Sequence, residues 1–287
     1  MHVQVGDVRL FFDVEGAKVV PDGPNLREKP TLLLLHGGPG LDHSMLKPWF
    51  TPLQDVAQIV YLDHRGNGRS DRQPADGLKL ARWADDIPAF CDALGIQRPI
   101  VLGVSFGGFV AQAYAIRHPD HPRALVLCNT AARNREERVL GVFERLGGSE
   151  ARETAVGFFR DPSMATLGEY ARVCVPLYNR RPQDPNFMSR ALLNVNSELC
   201  VSFFADEWRT FDFLGDLAKV RCPTLVVGGS DDPITPLADS EDIAAALPAN
   251  RMRLERFPGC GHPVYQDDSE RFVRVLREFL ARVVSET

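Results

Sequence analysis

The sequence predicts an α/β fold: a mostly parallel central sheet flanked by helices, with a helical insertion late in the chain. Three observations carry this. Short, continuous apolar runs bounded by Gly and Pro recur, as strands buried on both faces of a parallel sheet require. Helix-period segments lie between them, and such alternation implies right-handed strand–helix–strand crossovers. The alternation stops near Asn129 and resumes near Pro223, across a charged, helix-prone stretch broken by prolines such as Pro162 and Pro176.

Taken in order, Val8–Glu15 is rich in β-formers and predicts a first strand. Residues 21–30 are polar and proline-bearing and read as a loop. Thr31–Leu35 and residues 57–62 are two buried strands, the first closed by His36-Gly37-Gly38-Pro39-Gly40, the second by Asp63-His64-Arg65-Gly66. A helix over 80–94 leads to a third strand at 99–103, a small-residue helix to His118, and a fourth strand at 124–128. After the insertion come a strand at 223–227, a helix at 236–247, a strand at 251–257 and a final helix at 267–284. The domain division that follows is residues 1–128 with 213–287 as the α/β domain and 129–212 as a helical insertion over one end of its sheet.

Composition sets limits. The net charge of −5 disfavours nucleic acid and anionic membrane as partners, because both select for basic surfaces. No apolar run is long enough to span a bilayer. The six cysteines form no C-x-x-C pair and several sit in apolar stretches, so they read as small buried hydrophobes of a reducing compartment. The N-terminal M-H-V-Q-V-G-D-V has no basic segment followed by an apolar one, so no signal peptide is expected and a cytoplasmic location is the default.

The chemistry lies in three loops. Gly103-Val104-Ser105-Phe106-Gly107 is a G-x-S-x-G pattern between an apolar strand and a helix, the context in which a serine is exposed on a tight turn at a helix N-terminus. A serine hydroxyl needs a base, and histidine titrates near neutrality. Of seven histidines, His262 in Phe257-Pro258-Gly259-Cys260-Gly261-His262 follows the last strand, where open α/β sheets place their chemistry. A carboxylate must orient the imidazole, and Asp231 and Asp232 after the strand at 223–227 both qualify by type. The order Ser, Asp, His separates this arrangement from the chymotrypsin and subtilisin folds. An oxyanion hole is expected from the N–H groups of Phe106 and of Gly38 in the glycine-rich loop. That loop lacks G-K-[ST] and G-x-G-x-x-G spacing, so phosphate binding is not expected. His36, His43 and His64 match no metal-ligand spacing; no metal or cofactor is expected, and His36 and His64 are read as braces around the serine turn.

These segments resemble the proline iminopeptidase group of α/β-hydrolases. His36 to Gly40 matches its H-G-G-P-G, Asp63 to Ser70 its D-Q-R-G-x-G-x-S, and Gly229 to Pro236 its G-x-x-D-x-x-x-P, with Gly261-His262 in the place of its histidine loop. The resemblance implies the α/β-hydrolase fold with a helical cap, Asp232 as the triad acid, and release of an N-terminal residue, often proline, from small peptides or amides. Asn194 to Leu199 resembles the family's N-x-x-N-E-F segment, which makes Glu198 the substrate-binding residue for a free amine, with Asp206 and Glu207 as further candidates. The sequence departs from the pattern at His64, where the family carries glutamine, at Phe106, where tryptophan or tyrosine is common, and at Pro233, where some members have a second glutamate. The alternative is a carboxylesterase or lactonase on the same triad. A pocket-facing Glu198 would favour the peptidase, and a pocket lined by Phe158, Phe159, Phe203 and Phe204 the esterase. A small-molecule substrate is the expected partner, and a homo-oligomer is compatible with the sequence.

Overall fold

The structure is a computed structural model that describes residues 1–74, 78–181 and 184–285. The strands are β1 (His2–Val5), β2 (Val8–Glu15), β3 (Val19–Asp22), β4 (Asn25–Glu28), β5 (Thr31–Leu35), β6 (Gln58–Leu62), β7 (Ile100–Val104), β8 (Ala124–Cys128), β9 (Thr224–Gly229) and β10 (Met252–Phe257). The helices are α1 (Leu80–Ala93), α2 (Phe106–Arg117), α3 (Glu136–Arg160), α4 (Met164–Val173), α5 (Phe187–Ala191), α6 (Ser197–Ala205), α7 (Glu207–Thr210), α8 (Leu237–Ala246), α9 (Val264–Asp267) and α10 (Ser269–Ser285). Eight strands form one sheet in the order β1-β2-β6-β5-β7-β8-β9-β10. β1, β2 and β6 pair antiparallel, and every pairing from β6 to β10 is parallel.

The uninterrupted apolar runs are explained by the pleat. Leu33, Leu35, Val101, Leu125, Leu127 and Val226 face one layer; Leu32, Leu34, Ile100, Leu102, Val126 and Leu225 face the other. Side chains alternate across a strand, so a strand covered on both sides needs apolar residues at every position. Helices α1 and α2 cover the first face with Trp83, Phe90 and Phe109, and α10 covers the second with Phe272, Leu276 and Phe279.

Two readings at the N-terminal edge are corrected. Residues 21–30 are not a loop: β3 and β4 form an exposed antiparallel hairpin turning at Gly23, whose φ is 58°. β1 precedes the first expected strand and pairs with β2 across Gly6-Asp7. β1, β3 and β4 have four residues each and largely exposed side chains, so burial leaves little hydrophobic pattern in them.

Between β8 and β9 the chain forms helices α3 to α7. Its two ends meet at one point, through an isolated bridge between Arg133 and Asp212 and the Phe213 N–H on the Ala132 carbonyl at 2.8 Å. Phe158, Phe159, Tyr170, Phe204 and Trp208 pack together inside this segment. Phe203 crosses to the sheet side, edge-on to Phe106 at 5.2 Å and stacked on Phe109 at 6.2 Å. No helix of the described residues is long and apolar enough to cross a membrane.

Candidate active site

Strand order locates the site. β5 lies between β6 and β7, so the chain turns one way after β5 and the other way after β7, and the loops leaving these strands face each other. Such a switch point opens a crevice at the C-terminal ends of parallel strands. Ser105 sits there between β7 and α2, with φ 54° and ψ −118°, a backbone state that non-glycine residues rarely adopt. The turn fits only because its flanks lack side chains. A Cβ on Gly107 would overlap the Leu35 carbonyl, and one on Gly103 would overlap the Gly107 carbonyl. A Cβ on Gly37 would stand 3.3 Å from that of Ser105, so the glycine loop lies against the serine.

That loop is fastened from both sides. The Asn67 Oδ1 accepts the Gly40 N–H at 2.6 Å, and the Gly40 carbonyl accepts the Asn196 N–H at 2.7 Å. Buried Asp63 accepts from the His43 backbone N–H at 2.9 Å, the His43 ring at 2.6 Å and the Arg69 N–H at 2.9 Å. Among the described residues the N–H groups of Gly38 and Phe106 donate to no protein acceptor. Phe106 opens α2, whose N-terminal partial charge favours an anion.

Asp232 and His262 meet on the loops after β9 and β10, with Nδ1 and Oδ2 2.9 Å apart. Every acceptor direction of the fully buried Asp232 is used. Its Oδ1 takes the Ile234 and Thr235 N–H groups at 3.0 and 2.9 Å; Oδ2 also takes the Asn129 amide and the Thr235 hydroxyl, each at 2.8 Å. Burial by itself would raise the acid's pKa; the charge and hydrogen bond of His262, with the donors of Thr235 and Asn129, outweigh it and hold the carboxyl below its ordinary value. Asp231 points elsewhere and pairs with Arg145 at 3.0 Å. No hydrogen bond joins Ser105 Oγ to His262 Nε2 among the described residues; catalytic bonds of this kind commonly tighten only when substrate is bound.

His36 and His64 pack against each other at 4.6 Å, and His64 is edge-on to Phe106 at 5.4 Å. Burial pushes His64 well below its ordinary value of 6.5, with His36 adding to the effect; burial also lowers His36. Each ring therefore binds a proton less readily in the folded protein than in the unfolded chain. As pH falls through about 6.5 the unfolded state binds more protons, so stability falls, with a limiting slope of about 1.4 kcal/mol per pH unit for a ring that stays neutral when folded. Asp239, pushed up to about 7 by burial, acts in the opposite sense and cancels in a comparison of variants. His64→Gln should flatten the decline between pH 6.5 and 5 by one proton's worth, measured by denaturant unfolding across that range; an unchanged slope would refute it.

Glu198, the amine anchor that the resemblance implies, stands on α6. Glu198 is exposed on the first turn of α6 and makes no ion pair among the described residues. The helix buries Leu199 and Phe203 and sets Cys200 against Gly40, while Glu198, about 100° round the helix from Leu199, is exposed. Its carboxylate favours the positive N-terminal end of α6 from solvent. Asp206 and Glu207 pair with Lys79, and Glu207 also accepts the Leu80 N–H at 2.9 Å. Asn194 and Asn196 instead fasten the insertion down, to Asp42 at 3.1 Å and to the Gly66 carbonyl at 2.9 Å. Phe158 and Phe159 belong to the core of the insertion.

A family model described as alpha/beta hydrolase fold matches residues 30–269. The chain belongs to the alpha/beta hydrolase family. This hydrolase is 28% identical over 284 residues to Proline iminopeptidase PfmaB of Pestalotiopsis fici, covering 95% of this chain and 99% of that one. It is 31% identical over 259 residues to 2-hydroxymuconate semialdehyde hydrolase of Pseudomonas putida, covering 87% and 86%. The solved structure of a thermophilic esterase from Thermogutta terrifontis superposes with a TM-score of 0.71 at 25% identity, over 99% of this chain and 98% of that one. Relatives with three different printed activities share the hydrolase scaffold, so the scaffold does not select among substrates.

Three contributors escaped the sequence reading: Asn129 and Thr235 on Asp232, and Asn67 on the glycine loop. A polar residue directly after a buried strand flags Asn129, and its place next to the Asx turn that Asp232 makes with the Ile234 N–H flags Thr235. Nothing local marks Asn67, whose partner is 27 residues away.

Proposed function

We propose that this hydrolase works through an acyl-enzyme on Ser105, with His262 as general base and Asp232 holding its tautomer, and that its substrate is a small ester, lactone or related carbonyl compound with an uncharged acyl part. His262 takes the Ser105 proton as Oγ bonds to the carbonyl carbon. The oxyanion that forms accepts from the Gly38 and Phe106 N–H groups. Its collapse breaks the bond to the leaving group, which receives the proton from His262. Water, deprotonated by the same histidine, then releases the acid and restores Ser105. Residues 129–212 act as the cap over the catalytic domain formed by 1–128 and 213–287.

The observation that supports this substrate class is that Glu198 is exposed and makes no ion pair among the described residues. A substrate ammonium buried at the site needs a carboxylate partner. Among the described residues of the insertion no Asp or Glu is buried. Several of the groups against the loops are uncharged: Met45 beside Gly37, Leu199 against Gly66, Cys200 against Gly40, and the Tyr178 ring edge-on to His262 at 5.2 Å. The Cys200 thiol, pushed up to about 12 by burial, stays neutral.

Likeness to a proline iminopeptidase favours a second reading, a small amide or peptide with a free amine. Initial rates on p-nitrophenyl butyrate and proline p-nitroanilide, with wild type and Glu198→Ala, separate the two. The ester should turn over, the prolyl anilide should not, and the substitution should leave ester kinetics unchanged. Prolyl anilide turnover that Glu198→Ala abolishes would establish the peptidase instead.

A further inference from the structure

His262 is held from two sides, and one of them is the helical insertion. On the sheet side its ring meets Asp232. On the other side its backbone N–H donates to the Tyr178 carbonyl at 2.7 Å, and the Tyr178 ring meets the imidazole edge-on. The two backbones are in such close contact that a Cβ on Gly261 would overlap the Tyr178 carbonyl.

Asp267 joins the same two segments. It is 2% exposed and makes no ion pair among the described residues. Its Oδ2 accepts the Gly261 N–H at 2.7 Å and the Arg180 N–H at 3.2 Å, and its Oδ1 accepts the Arg181 N–H at 2.8 Å. A buried carboxylate is costly unless donors replace its water, and here the donors are backbone amides from both sides of the cleft. Helix capping does not account for it. Asp267 ends α9, and it is the Asp268 side chain that accepts the Arg271 N–H at 3.3 Å in the first turn of α10. Beside it the Asn179 amide donates to Gln266 Oε1 at 3.0 Å, and Asn179 Oδ1 accepts the Arg181 N–H at 2.9 Å.

We propose that Asp267 is a positioning residue: by tying Gly261 to Arg180 and Arg181, it makes the insertion set where the His262 ring stands. This rests on the reading of His262 as general base. One hydrogen bond to Asp232 fixes the direction of Nδ1 but leaves the backbone that carries the ring to be located by something else. The Asp267 bridge and the Tyr178 carbonyl supply that second constraint. A displacement of about 1 Å at a catalytic group costs on the order of 10²-fold in rate. A shift of the insertion against the sheet would therefore be felt as a loss of turnover, not of affinity.

The test compares Asp267→Asn and Asn179→Ala with wild type on p-nitrophenyl butyrate. It measures kcat and KM, the pH profile of kcat/KM, and amide exchange in peptides covering 178–181 and 258–263. Asp267→Asn should lower kcat about 10–100-fold with KM little changed. The acidic limb of its profile should shift, and exchange should quicken in both segments. Asn179→Ala breaks the neighbouring tie without leaving a buried carboxamide among donors; it should move the same readouts in the same direction by less, and it keeps the test open if the first variant fails to fold. Faster exchange in both segments with kcat unchanged would overturn the proposal and leave Asp267 a structural brace. His262→Ala run alongside distinguishes the other failure: retained turnover would remove the base assignment itself, whatever the exchange data show.

Discussion

Ser105→Ala lowers kcat by at least about 10⁴-fold while the protein stays folded. The nucleophile is a single oxygen on a turn whose geometry is otherwise set by glycine. The strained φ of 54° at Ser105 is imposed by its surroundings: β7 behind it, α2 in front, and Gly103 and Gly107 admitting the neighbouring carbonyls. The serine carbonyl accepts from Gly108 N–H at 2.8 Å and from the Thr130 hydroxyl at 2.9 Å, and alanine keeps both bonds. The unfolding midpoint should therefore remain within the small range typical of substitutions that break no contact. Turnover is read against a fluorophosphonate probe, which should add its mass to wild type at Ser105 and leave the variant unlabelled. Ester hydrolysis above a tenth of the wild-type rate in the variant would dismiss Ser105 as nucleophile.

Asp232→Asn costs activity and stability together. A carboxylate accepts in every direction, and Asp232 receives five donors, from Ile234, Thr235 (through its N–H and its hydroxyl), Asn129 and His262. A carboxamide presents one oxygen and one NH2 group. If the nitrogen takes the Oδ2 position it faces the Asn129 amide, the Thr235 hydroxyl and the imidazole; in the other orientation it opposes two backbone N–H groups. Each buried group left unsatisfied costs about 1–3 kcal/mol. With nitrogen toward His262, Nδ1 must accept, Nε2 must carry the proton, and the ring cannot take one from Ser105. The expected fall in kcat is about 10⁴-fold, accompanied by a lower midpoint in denaturant. Asp231→Asn is the control, since Asp231 pairs with Arg145 away from the histidine and should leave kcat intact. Equal losses in the two variants would refute the assignment.

The parallel sheet, the serine turn and the order of serine, aspartate and histidine were legible in the sequence because each is local. A strand buried on both faces has to be apolar at every position, so β5, β7, β8 and β9 announce themselves as runs such as Leu32 to Leu35. A turn as tight as that at Ser105 admits glycine only where carbonyls press in, so G-x-S-x-G is a steric record of the fold. The edge strands β1, β3 and β4 left no such record because Val5 is the one residue they bury. Tertiary structure alone decided which way a helical side chain faces and which distant backbones touch. Glu198 stands in a segment that resembles an amine-binding motif, yet α6 lies with Leu199 and Phe203 inward and the carboxylate in solvent. Asn67 on Gly40, Asn129 on Asp232 and Asp267 on Arg180 and Arg181 join residues 27, 103 and about 87 positions apart. A hydrogen bond constrains the geometry of its two atoms and says nothing about what lies between them in the chain, so no spacing in the sequence could have declared these pairs.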